Sequence, residues 1–113
     1  MIILQESITK AELRTMADHR FGDMVKGVVD IGRGLLALDA ELHADLETLL
    51  LENGAKQEDL WGINLYPDMD GDDFIEFDSL INIRPWQGNR SRGVNNEETR
   101  EKIKEVMEKW INL

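Results

Sequence analysis

The sequence predicts an α+β domain of two layers in the order βαββαββα. A mainly antiparallel sheet of about five strands should carry its helices on one face. Three observations carry this expectation. Two stretches, residues 24–42 and 60–84, alternate apolar and polar side chains with a period of two. Two others, beginning at Thr9 and Asn95, show a helix-start signal followed by apolar residues at helical spacing. The chain has 113 residues and 42% hydrophobic content, enough for one core and a single domain over residues 1–113. It contains no repeat, low-complexity tract or linker that would divide it.

Residues 1–4 read as a first strand. Thr9 is placed as an N-cap with Glu12 as its capping-box partner, and Ile8 and Leu13 as a hydrophobic staple. Leu13, Met16, Ala17 and Phe21 then form one stripe, which Gly22 ends. His19 lies off that stripe and reads as a surface residue. In residues 24–42 a two-residue turn at Arg33-Gly34 makes a hairpin with Gly32 opposite Leu35. The same register sets Val29 against Leu38 and Val25 against Leu42, with Lys26 against Glu41 and Val28 against Asp39 on the other face. Asp45 is placed to cap a short helix through Leu46, Leu49 and Leu50 that ends at Asn53-Gly54.

The second hairpin pairs Trp61, Ile63 and Leu65 with a long strand over residues 74–84. If Asn64 pairs with Glu76, Leu65 falls opposite Ile75 and Ile63 opposite Phe77, so the apolar faces coincide. Asn64, Glu76, Asp78, Asn82 and Arg84 then share one polar surface, which in an antiparallel sheet is often simply solvated. Pro85 ends the strand. Asn95, with Glu98 as capping partner, opens a last helix with the stripe Ile103, Val106, Met107 and Trp110.

Three places could carry chemistry. The first is an acidic loop, DMDGDDFIEFDS, which has Asp68, Asp70 and Asp72 at the spacing of a calcium loop. Asp73 stands where the motif's turn needs glycine, Ser79 stands where it needs a bidentate Glu, and the flanks are not helices. It reads as a soluble hairpin loop, and no metal or cofactor is expected. The second is QGNRSRG, where Gln87, Asn89, Arg90, Ser91 and Arg92, with Arg84 before them, lead into a helix N-terminus. Amide donors, the helix dipole and guanidinium forks suit an anion there. Against this, Arg84, Arg90 and Arg92 could instead neutralise the protein's own Glu76 and Asp78. The third is Glu41 and His43 beside Glu76 and Asp78, as acid or base groups. A lone histidine beside a helix-capping Asp is, however, commonly structural.

Composition excludes some classes. A formal net charge of −10 argues against bulk nucleic-acid binding and against an anionic membrane surface. Without cysteine there is no disulfide framework and no thiol chemistry, and nothing points outside the cytoplasm. MIILQES is too short and lacks the basic start of a signal peptide, and no apolar run is long enough to span a bilayer.

The strings ELHAD, LWGINLYP, IEFDSLINIRP and QGNRSRG together resemble a family of small prokaryotic proteins catalogued as a domain of unknown function. The resemblance runs from the first helix to the last, and the insert DMDGDD is not part of it. It implies a single-domain cytosolic α+β protein and brings no activity, cofactor or catalytic residue. Three functions stay open: a binding module whose QGNRSRG loop holds a phosphate, nucleotide or other small anionic ligand; an enzyme using Glu41, His43, Glu76 or Asp78 on an anionic substrate; and a homodimeric interaction module using the polar sheet face.

Overall fold

The computed structural model describes residues 1–113. The strands are β1 (Ile2–Ile3), β2 (Ile8–Thr9), β3 (Val25–Asp30), β4 (Leu35–Leu38), β5 (Leu60–Leu65), β6 (Ile75–Glu76) and β7 (Ile111–Asn112), and the helices α1 (Lys10–Asp18), α2 (His43–Glu52) and α3 (Glu97–Trp110). One sheet runs β1-β4-β3-β5-β6 with every neighbour antiparallel. The expected α+β class and five-stranded antiparallel sheet are therefore present. A short parallel pair, β2 with β7, joins the chain before α1 to the chain after α3 and has no counterpart among the expected strands.

The helix signals hold well. Thr9 caps α1: its hydroxyl accepts from Glu12 N at 3.1 Å, and Glu12 answers to the Thr9 backbone. Leu13 and Ala17 are buried, whereas Phe21 is exposed, with the Lys26 ammonium 5.3 Å from its ring centre. The cap of α3 is Asn96, one residue later than expected, because its side chain accepts from Thr99 N at 3.0 Å; Asn95 serves the preceding loop instead. The helix α2 starts at His43 with no side-chain cap, so Asp45 lies inside its first turn rather than before it.

The first hairpin closes two residues away from the expected register, with Val28 opposite Ala37 and Val29 opposite Leu36. Asp30 causes the difference. Its carboxylate accepts from Gly32 N at 3.0 Å, Arg33 N at 3.1 Å and Arg33 Nε at 2.8 Å, and Gly34 closes the wider loop at φ 68°. A slip of two leaves every side chain on its expected face but changes its partners. Lys26 and Glu41 consequently form no ion pair; Asp39 lies across from Lys26 and takes Arg20 at 2.7 Å.

The changed register also explains why the helices do not share one face. With Val28 against Ala37 rather than Asp39, the second face is apolar at one end and must be covered. Leu46 and Leu50 of α2 pack there with Val28, Ala37, Ala40 and Leu60. On the first face α1 and α3 bury Leu13, Ala17, Ile103 and Met107 against Val25, Val29, Leu36, Leu38, Ile63 and Leu65. A third layer thus covers part of the sheet.

The long strand over residues 74–84 does not form. Asn64 pairs with Glu76 and Leu65 with Ile75, as expected, and pairing stops there, so Ile63 does not meet Phe77 in a ladder. Ser79 bends the chain: its hydroxyl accepts from Ile81 N at 3.2 Å and opens a 3-10 turn, Leu80–Asn82. Side chains then take over the edge of β5. The Asn82 amide accepts from Gly62 N at 2.8 Å and donates to Gly62 O at 3.0 Å, reproducing a strand's two hydrogen bonds. Arg84, buried, stacks 4.1 Å from the Trp61 ring centre and donates to Gln57 O and to Leu60 O, the latter at 2.6 Å.

Candidate functional site

Where α2 ends its cover, the second sheet face is open. A cleft of about 610 Å³ lies between the start of α2 and the bent segment after β6. Met24 and Lys26 come from the β3 strand and its lead-in; Leu42, His43 and Ala44 come from the start of α2. Asn64 rises from β5 and Tyr66 from the residue just after it, Glu76 to Ile81 supply the far wall except Phe77, and Arg92 reaches in from the 87–93 loop. Strand register builds the floor. Lys26 is paired with Asn64 and Asn64 with Glu76, so the three stand in one row across the sheet, on one face.

The histidine enters because Gly62 leaves room. A Cβ on Gly62 would lie 2.5 Å from Ser79 Cβ and 3.2 Å from His43 Cδ2. His43 Nε2 is 2.8 Å from Ile63 O, and since a carbonyl only accepts, Nε2 carries the proton and Nδ1 the lone pair. Burial lowers the His43 pKa, reinforced by the Lys26 charge and opposed by the Ile63 carbonyl, Asp78 and Asn64.

Glu76 is held by one oxygen. Oε1 accepts from Asn64 Nδ2 at 2.8 Å and Tyr66 OH at 2.9 Å. Burial, then this hydrogen bond and the nearby carboxylate charges, push Tyr66 up to about 12, which keeps it a donor. Asp78 is neutralised by Arg92, whose Nε donates to Oδ1 at 2.6 Å; that bond and the Asp78 charge raise the Arg92 pKa. Asn64 Oδ1 is buried with no hydrogen-bond partner, although Asn64 itself is only 5% exposed.

Of the acid–base candidates, His43, Glu76 and Asp78 gather in this cleft, and exposed Glu41 does not line it. The anion-loop candidates scatter. Arg84 is interior and bound to backbone carbonyls. Gln87 donates to Glu58 O, and the buried Asn89 donates to Asn82 O, Ser91 O and Gly93 O while accepting from Asn95 N. Ser91 donates to Asn95 Oδ1 at 2.8 Å. Arg90 is exposed and forms no ion pair, and only Arg92 faces the cleft. The loop's polar groups therefore shape the loop rather than converge on a vacant point. Sequence reasoning did not assign Lys26, Asn64, Tyr66 or Ser79 to a site; the shared parity of Lys26, Asn64 and Glu76 was the available signal.

In the acidic loop, Asp68 pairs with Arg14 at 2.6 Å and Asp70 with Lys10 at 2.9 Å, and Asp72 and Asp73 lie in the 3-10 turn Gly71–Asp73. No three His, Cys, Asp or Glu side chains are grouped to hold a metal ion. No helix is long and apolar enough to cross a membrane. The sheet face that a partner copy would need is occupied by α2 and by the bent segment, apart from the cleft itself.

These features define a small α+β domain with an open, mixed-charge cleft on the second sheet face. The chain matches the family model described as "Protein of unknown function (DUF5674)" over residues 2–110, and it belongs to that family. No curated protein and no solved structure matches it.

Proposed function

We propose that the protein is a small binding module whose ligand occupies the cleft above Asn64, with an anionic group of the ligand held by Lys26 and Arg92. One observation carries the reading: two cations from separate elements, Lys26 and Arg92, line the same cleft. Lys26 makes no ion pair, and the single hydrogen bond of Arg92 leaves its terminal nitrogens free for a ligand. The 87–93 loop contributes through Arg92 rather than as a binding loop of its own.

The test is amide NMR of labelled protein titrated with inorganic phosphate and with AMP. Shifts should centre on Lys26, His43, Asn64 and Arg92, and Lys26→Ala with Arg92→Ala should abolish them. At a hundredfold excess over the dissociation constant a ligand adds about 2.7 kcal/mol, a melting shift on the order of ten degrees. Shifts confined to Arg90, Ser91 and their neighbours would return the anion to the loop and overturn the reading.

One observation favours a second reading, an acid–base enzyme: the neutral His43 carries its free Nδ1 in the same cleft as Glu76 and Asp78. On that reading His43→Gln retains a bound ligand but loses its conversion, followed by NMR of the ligand itself.

A further inference from the structure

The row Lys26–Asn64–Glu76 has a charge pattern that a simple anion does not use. Lys26 and Glu76 are opposite charges facing one cleft, and neither has a partner of opposite charge within ion-pair distance. Asp78 differs, because Arg92 neutralises it. The two backbones stand two strand spacings apart, roughly 10 Å, with Asn64 between them. Glu76 is fixed by two donors on Oε1, which leaves Oε2 without a donor. Asn64 Nδ2 is committed to Glu76 and to Asp78 O, so its Oδ1 is the acceptor that lacks a donor. The cleft's lip is apolar: Leu42 is 57% and Leu80 67% exposed, beside Met24 and Ile81.

We infer that the cleft takes a zwitterionic amino compound with an apolar side chain, of the free amino-acid class. Its carboxylate is held by Lys26, its ammonium by Glu76, and its apolar part by Leu42 and Leu80. The inference rests on the cleft being the ligand site. Each end replaces a solvated charge by a charge-assisted hydrogen bond in a partly enclosed site, which is where such bonds are strongest. The apolar lip covers the middle of the ligand and excludes water from both ends.

The test compares three probes by calorimetry and amide NMR: L-leucine, isocaproate, which lacks the amine, and isoamylamine, which lacks the carboxylate. Leucine should bind about tenfold or more tightly than either one-ended analogue. Glu76→Gln should remove leucine's advantage over isocaproate, and Lys26→Met its advantage over isoamylamine. Glu76 is exposed and Lys26 half-exposed, and amide spectra would confirm that both variants fold. If isocaproate binds in the cleft as tightly as leucine, the zwitterion is overturned while the anion site stands. Phosphate or AMP binding in the cleft without leucine binding likewise overturns the zwitterion and leaves the anion site standing. If isoamylamine alone binds, or if neither these three probes nor phosphate and AMP bind in the cleft, both readings fall.

Discussion

The two faces of the sheet are made by the same strands and do different work. Under α1 and α3 the face is continuous hydrocarbon: Val25, Val29, Leu36, Leu38, Ile63, Leu65 and Ile75 meet Leu13, Ala17, Ile103 and Met107. On the other face the apolar part is confined to Val28, Ala37 and Leu60 under α2, and the next row along the strands is Lys26, Asn64 and Glu76. The first face therefore supplies most of the stabilisation from burial. The second trades apolar contact for fixed polar groups, one of them lacking a partner, and leaves a cleft. Apolar packing and the polar groups of the cleft are separated by the period of two along each strand.

The largest expected effect on this comparison is at Phe74, which is 2% exposed in the first core. Phe74→Ala should cost roughly 3–5 kcal/mol by urea denaturation. Leu80→Ala, at the cleft's lip, should stay within about 0.5 kcal/mol. Comparable losses would mean that the lip is covered in solution and the cleft closed.

The next effect is at the edge of β5. Asn82→Ala leaves the buried Gly62 N–H and C=O without their partners and should cost at least about 2 kcal/mol. A nearly neutral result would mean that water or backbone replaces the amide, and that the bend at Ser79 does not depend on it.

A smaller effect concerns pH. Burial lowers the His43 pKa in the folded protein below the ordinary histidine value of 6.5. Above that value His43 is neutral in both states and its contribution to stability is fully present. As pH falls, the unfolded chain binds the proton first, so stability is lost from about 6.5 down through the folded value. Glu47, whose pKa burial raises, acts with the opposite sign. The comparison is therefore wild type against His43→Gln, which should be flatter between about pH 7.5 and 5.5. Parallel profiles would mean that His43 contributes nothing to the pH dependence.

The smallest expected effects are in the 87–93 loop. Arg90→Ala should be neutral within about 0.5 kcal/mol, and Arg92→Ala should leave the ligand-free melting point almost unchanged, because the Arg92–Asp78 pair is half-exposed. A clear fall in the melting point on Arg92→Ala would make that pair a structural clamp and count against the proposed ligand contact.

The sequence by itself determined what depends on neighbours a few residues away. The Thr9–Glu12 box, the stripes of α1 and α3, the alternation of the strands and the Asn64–Glu76 pairing across a short loop are all local. Local reasoning missed where side-chain hydrogen bonds to the backbone overrode the alternating pattern. Asp30 decided the hairpin loop by side-chain hydrogen bonds, and Ser79 and Asn82 turned an alternating run into a bend. The tertiary structure alone decided the site. Lys26 meets Asn64 only because β3 and β5, far apart in the chain, are neighbours in the sheet. His43 reaches the cleft only because α2 packs on the second face over Gly62. Such pairings are settled by the burial of whole faces, and no pattern within a single segment encodes which distant strand will lie alongside it.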